Sequence, residues 1–412
     1  MAGSVTKVLG AAILLSSIAG GAHAAGLERG GYNWDLLFSD KRIDSEAGVT
    51  YVMPQRKIKN ARDGMLVNGK TSVDETEDYA VPRFGFKLGI TEEADCLASY
   101  GQPWGIHTNP GDDWVGANEN IETKIKSDDY GLTCSYKFDA GKGKFRVLGG
   151  VSYQELSGFK ERLVDPRAWA FGLDGTGKLD LEADGIGWRI GAAYEIPEIA
   201  FRASLIYNSA VDLDEITGTL DLRQVGQGII PVYGDASMPQ SVELKVQSGI
   251  APDWLAFGSV KWTDWSVLDV IAFCPTATKG MASCNAQSLP FGVPGGVRIT
   301  TLDLMFRDSW YVSAGVGHKF NDQWSGQAQI SWDRGTNTGL TTQTDTWLLA
   351  SGVSFTPNEN TELRLGGAVG MLTSGSFGKT DCPLVEGCGT RVKYDFGNDF
   401  VGALSIAGKV RF

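Results

Sequence analysis

The chain has 412 residues and a formal net charge of −12, with 42% hydrophobic and 21% charged residues. That acidic balance excludes a nucleic-acid partner, because phosphate binding needs a basic face. Glycine is 54 of 412, about 13% against a typical ~7%, and tryptophan and tyrosine stand at 12 each, which argues against two or three ordinary soluble domains.

Residues 1–24 read as a secretory signal: Lys7 supplies the positive n-region, Val8 to Ala19 the apolar core, and Ala22-His23-Ala24 a small-x-small cleavage site. The apolar run is too short for a membrane helix, which takes ~20 residues. No later segment approaches one, so the mature chain is expected to be secreted, periplasmic or a β-barrel. Residues 25–46 carry Tyr32, Trp34, Leu36, Leu37 and Phe38, enough apolar surface for a plug.

From 47 to 412 the recurring signal is period-2 alternation, the mark of strands with two unlike faces. Phe145, Val147, Gly149, Val151 and Tyr153 share one face, opposite Arg146, Leu148, Ser152 and Gln154. Ile186, Trp188, Ile190 and Tyr194 oppose Arg189, and Phe201, Leu205 and Tyr207 oppose Arg202 and Ser204. Trp324, Ala328, Ile330 and Trp332 oppose Ser325, Gln327, Gln329 and Ser331. The pattern predicts fourteen strands, at 47–58, 77–91, 95–107, 120–138, 144–160, 181–195, 199–216, 238–250, 253–269, 299–319, 322–334, 343–356, 360–373 and 394–412. Short turns alternate with long Gly- and Asp-rich loops, and aromatics end the apolar rows, as at Trp188/Tyr194 and Trp254/Trp262. Those habits belong to outer-membrane barrels. The expected fold is all-β: a 14-stranded antiparallel transmembrane β-barrel with a short N-terminal hatch. The last strand places Leu404, Ile406, Val410 and the terminal Phe412 on one face. That ending suits recognition by the barrel-assembly machinery, and with the signal it predicts a monomer in a Gram-negative outer membrane, against lipid and lipopolysaccharide.

Six cysteines in an exported chain suggest disulfides. Cys274/Cys284 and Cys382/Cys388 each share one Gly/Pro-rich stretch, which leaves Cys96 for Cys134. Zinc is the competing reading, but the sequence has no CxxC and only 3 histidines. No metal or cofactor is expected. An enzyme needs a nucleophile, a base and an orienter. His107 and His318 have no carboxylate pair beside them, no Gly-x-Ser-x-Gly occurs, and His318 reads as a residue of the aromatic girdle.

The stretch Met238 to Asp269 is specific. Met238-Pro239-Gln240-Ser241 enters a strand, Pro252-x-Trp254 forms a turn, and Trp262-Thr263-x-Trp265-Ser266 follows. It resembles the hallmark hairpin of the FadL/TodX family, outer-membrane transporters of long-chain fatty acids and other hydrophobic compounds. The Ala25-Gly26 mature start and Phe412 match as well. The resemblance implies a plugged barrel that captures an apolar ligand near its outer loops and releases it sideways into the membrane. It departs in the hatch, which is short here and lacks an Asn-Pro-Ala stretch.

Two candidate sites follow. If the apolar rows face lipid, Lys87, Arg146, Arg189, Arg202 and Lys261 point into the lumen, where they can take a ligand carboxylate or pair with lumen acids. The second is Gln102-Pro103-Trp104-Gly105 within the third strand, where a proline interrupts a ladder. By the resemblance it is an inward kink that opens the wall. The other reading puts Pro103 at the strand's outer end, starting the Asn109-Pro110-Gly111 loop. The loop 274–296, with Met281, Leu289 and Phe291, is a further candidate capture surface. Alternatives to transport of hydrophobic molecules are an adhesin-like or hydrolase barrel and a general diffusion porin.

Overall fold

The computed structural model describes residues 25–379 and 389–412. The expected signal segment 1–24, Cys382 and Cys388 lie outside the described residues. Fourteen antiparallel strands close into a barrel. In wall order they are β1 (Ile43–Pro54), β2 (Tyr79–Gly89), β3 (Ala94–Gly101, resumed as Gly105–Thr108), β4 (Glu122–Ala140), β5 (Gly143–Leu163) and β6 (Thr176–Ile196). There follow β7 (Phe201–Asn208 and Val211–Asp221), β8 (Ile229–Met238 and Ser241–Ala251), β9 (Trp254–Thr263) and β10 (Ser309–Lys319). The last four are β11 (Trp324–Asp333), β12 (Thr346–Asn358), β13 (Thr361–Leu372) and β14 (Asp399–Arg411). β1 pairs with β2 on one side and with β14 on the other, from Asp44 opposite Arg411 to Pro54 opposite Val401. That closure satisfies ladder groups that hydrocarbon could not.

The alternation sorts as expected. Leu132, Val151, Ile186, Ile190, Leu205, Leu349 and Leu404 are exposed on the outer face, while Arg146, Arg189 and Arg202 are buried inside. Trp188, Trp254 and Trp324 lie exposed near the ends of their rows. His318 stacks on Trp254 at 4.3 Å, beside a short turn. No helix among the described residues is long and apolar enough to cross a membrane. A spanning strand needs ~9–11 residues; β4, β5 and β6 have 19, 21 and 21, and their excess projects on the long-loop side.

The two strands at the seam differ from their expected spans. β1 begins at Ile43 and ends at Pro54, and β14 begins at Asp399. Lys57–Arg62 and Lys393–Phe396 instead join Val73–Asp74 and Gly375–Phe377 in a small outer sheet. The cause is Arg56, 2% exposed. Its guanidinium donates to the carbonyls of Thr342, Thr373 and Gly397, to Thr344 Oγ1 and to the Asp399 carboxylate. A cation so fully bonded folds the chain inward at that point and ends the wall strands on either side.

The N-terminal segment runs up inside the barrel. Asp35–Phe38 form one turn of 3-10 helix, and Trp34, Leu36, Leu37 and Phe38 pack against Leu97, Leu148, Ala193 and Ile206 of the wall.

Candidate functional site: a plugged lumen, a broken strand and an apolar cavity

The break in β3 is built by its sequence. Ladder pairing with β2 ends at Arg83–Gly101. Pairing with β4 ends at Gly101–Asp129 and resumes at Gly105–Lys126. Between them Gln102, Pro103 and Trp104 turn out of register, because Pro103 has no N–H to give the ladder. The strand resumes at Gly105, so Pro103 interrupts β3 and does not begin the Asn109-Pro110-Gly111 loop. A cavity of about 40 Å³ sits at the break, between Val81–Phe84 of β2 and Ser99–Pro103.

The backbone groups freed there are taken up from two sides. The Trp104 N–H donates to Ser127 Oγ, whose hydroxyl donates back to the Trp104 carbonyl, both at 2.8 Å. The Arg29 N–H donates to the Pro103 carbonyl at 2.8 Å and the Gly105 N–H to the Leu27 carbonyl at 2.7 Å. The N-terminal segment thus adds a single antiparallel bridge, Glu28 opposite Trp104, across the kink. The Trp104 indole donates to Gln154 Oε1 at 3.1 Å, and Gln154 Nε2 donates to the Tyr32 hydroxyl at 2.6 Å. The expected hatch residue Tyr32 and the expected kink residue Trp104 therefore share one wall glutamine.

The hallmark hairpin places the other clamp. Gln240 Nε2 donates to Asp264, the Asp264 N–H donates to the Gln240 carbonyl, and Tyr207 donates to Gln240 Oε1. These bonds hold the bend that follows Thr263 and swing Trp265 into the lumen, fully buried. There its ring meets Trp104 edge-on at 5.4 Å and covers Gly26, whose φ is +58°. A side chain at residue 26 has neither the backbone conformation nor the space.

All five basic residues predicted to face the lumen do so, and each has partners. Lys87 donates to the Ser39 and Lys41 carbonyls and pairs with Asp95 at 2.8 Å. Arg146 bridges Asp95 at 2.9 Å and Glu195 at 3.2 Å. Arg189 lies over the Tyr32 ring at 4.7 Å, and Lys261 bonds Glu28. Arg202 pairs with Asp35 at 3.8 Å and lies over Phe38 at 4.2 Å. These residues grip the N-terminal segment by its carboxylates, carbonyls and rings. Lys245, not singled out from the sequence, completes the set at 3.4 Å from Asp35. Burial alone would push the Asp35 carboxyl up, but Lys245 and Arg202 outweigh it and hold the carboxyl below its ordinary value.

Above the clamp the lumen changes character. A cavity of about 210 Å³ is lined by Leu27, Ile106, Ile125, Leu156, Leu213, Ile216, Met238, Leu268, Phe273 and Phe306, with Leu340, Phe377 and Tyr394 from the outer loops and sheet. None of the five basic residues lines it. Met281, Leu289 and Phe291 are exposed and do not line it either. The flanks of their loop, Ile271, Phe273, Leu302 and Phe306, do. Cys274 is bonded to Cys284 beside Phe273, and Cys96 to Cys134, directly opposite across β3 and β4. His107 bonds Glu122 at 3.0 Å near the cavity's rim.

A closed barrel with an apolar exterior, an N-terminal segment packed inside it and an apolar chamber defines a transport barrel of the outer membrane. The description "Outer membrane protein transport protein (OMPP1/FadL/TodX)" matches residues 20–402, and the chain belongs to that family. A long-chain fatty acid transport protein of Salmonella typhi is 20% identical over 324 residues, 72% of this chain and 69% of its own. That of Shigella flexneri is 21% identical over 336 residues, 72% and 70%. The crystal structure of a Pseudomonas aeruginosa FadL homologue superposes with a TM-score of 0.72 at 15% identity, covering 92% of both chains. The Pseudomonas putida toluene transporter TodX gives 0.60 at 15%, covering 96% of this chain and 97% of its own. At such identities the structures establish the fold alone.

Proposed function

We propose that apolar molecules are captured in the cavity beneath the outer loops and leave sideways through the break at Gln102-Pro103-Trp104-Gly105, with residues 25–42 as the plug. The observation that carries this reading is the position of Trp104. It forms the edge of the wall break and belongs to the same buried apolar cluster as Leu27, Met238, Leu268 and Phe273 of the chamber. Below the clamp the lumen turns polar, with Glu28, Asp35, Arg202, Glu243, Lys245 and Lys261 around a space of about 100 Å³. An apolar solute gains ~0.8 kcal/mol per CH₂ on entering hydrocarbon, so the side exit is downhill and the polar floor is not. The five lumen cations serve the plug, each being paired with protein groups. No catalytic step is involved.

We further infer a monomer, since β1 and β14 pair with each other and leave the seam closed. Its C-terminal strand, β14, would address the assembly machinery, and its apolar belt would meet lipid and lipopolysaccharide.

The test is uptake of radiolabelled 1-dodecanol by intact Gram-negative cells, whose saccharide layer is the barrier. Cells making the protein should accumulate it severalfold faster than cells without it. Liposomes carrying the protein should stay closed to small sugars. Equal dodecanol uptake, or free sugar passage, would refute transport by this route.

A further inference from the structure

The charged groups of the capture cavity are mostly acidic, which has a consequence for the ligand's head group. Glu75, from the outer loop between β1 and β2, is 8% exposed and lines the apolar chamber. Among the described residues, its Oε2 has no hydrogen-bond partner, and neither has Oδ1 of Asp303, which lines the same chamber. Glu119 lines the same space. The cations nearby are committed. Lys160 stands 3.6 Å from Glu119, Arg162 donates to Thr300 Oγ1, and Arg56, which faces Glu75, spends its guanidinium on five other acceptors. A buried acceptor with an open oxygen costs free energy until a donor reaches it. A ligand carboxylate would add another negative charge beside Glu75, Glu119 and Asp303.

We propose, resting on the capture reading above, that this chamber selects apolar molecules carrying a protonated amine, with the ammonium group donating to Glu75 Oε2 and the hydrocarbon body lying along Ile106, Ile216 and Phe273. Glu75 is the head-group acceptor, and Glu119 and Asp303 supply the surrounding negative field. The state of Glu75 fits that role. Burial, against the Thr342 hydroxyl and Arg56 and with Asp399, pushes its carboxyl up to about 7. The groups facing it are therefore Arg56, Asp399, Thr342 and the Tyr394 phenol, which burial and then Glu75 and Glu119 push well above its ordinary value. A neutral amide in place of Glu75 keeps the shape and loses the charge.

The experiment uses three ligands of matched shape, 4-phenylbutylamine, 4-phenylbutanol and 4-phenylbutyrate, titrated calorimetrically into the full protein in phosphatidylcholine nanodiscs. At pH 8 the amine should bind about tenfold or more tighter than the carboxylate, the gain of a charge-assisted bond to a buried acid. Glu75→Gln should remove most of that preference and leave the alcohol within about twofold, since no apolar contact changes. In the wild type, amine affinity should fall as pH drops from 8 to 5.5, because Glu75 takes up a proton; in Glu75→Gln it should stay flat. The wild-type pH series stands on its own if the variant does not fold. Carboxylate binding as tight as amine binding, or a preference that survives both Glu75→Gln and acidification, overturns the head-group assignment. Failure of the alcohol to bind overturns the capture reading itself, and the assignment with it.

Discussion

Trp265 lies directly over the backbone of Gly26: a methyl group on Gly26 would sit 2.4 Å from Trp265 Cδ2. The contact joins the hairpin of Met238 to Asp269 to the N-terminal segment inside the barrel, so the hairpin motif is legible as a clamp on the proposed plug. Gly26→Ala must expel the ring or straighten a left-handed backbone, at roughly 1–3 kcal/mol. Trp265→Ala should cost more, about 3–5 kcal/mol for a buried tryptophan. Both should lower the temperature at which the folded barrel band shifts in semi-native gels. Both should also expose residues 25–42 to protease. A plug equally protected in both variants would separate the clamp from the plug.

The break in β3 can be mended. Pro103→Ala restores a donor, and Gly105→Ala would set a Cβ 2.8 Å from Arg29 Nε and from the Ile125 carbonyl, disturbing the Leu27 bond. The double variant should insert normally and lose most dodecanol uptake. Unchanged uptake with normal insertion would remove the side exit from the mechanism.

Asp35 should make the proposed plug sensitive to acid. Its folded carboxyl is held below the ordinary value, so it contributes stability above its unfolded pKa of about 4 that is lost as pH falls through the folded value. Single-channel recordings should show longer open events below about pH 4, and Asp35→Asn should show them at neutral pH. A closed, pH-independent variant would mean that the aromatic packing of Trp34 and Phe38 holds the plug alone.

The Cys274–Cys284 bond closes a loop with a sequence separation of 10 at the edge of the chamber. Removing it with paired serines should cost roughly 2–4 kcal/mol and open the 276–298 loop to limited proteolysis. Capture of 4-phenylbutanol should weaken with it. The Cys96–Cys134 bond joins lipid-side positions on β3 and β4 below the break, and its paired-serine variant should leave capture unchanged. Weaker capture there would show that the wall strands transmit strain to the chamber.

Much of the wall was legible because a barrel strand repeats a two-residue code: Ile186, Trp188 and Ile190 outward, Arg189 inward. The inward direction of Lys87, Arg146, Arg189, Arg202 and Lys261 followed from the same parity. Their partners did not, because pairing depends on register and on which residue of the internal segment lies at each height. Arg202 meets Asp35, and Lys261 meets Glu28, across more than 160 residues of chain. Arg56 carries no local sequence signal of its role, because the five acceptors that end β1 and shift the start of β14 come from distant segments.

The sequence by itself determined the strand count, the two faces of each strand, the aromatic rows and the proline that no ladder accommodates, since all rest on local geometry and period. Only the tertiary structure decided that Leu27 and Arg29 bond across the Pro103 kink and that Trp265 covers Gly26. It alone brought Glu75 into an apolar chamber with an open oxygen. Those contacts join segments distant in the chain, and closure of the barrel sets their heights and facing directions.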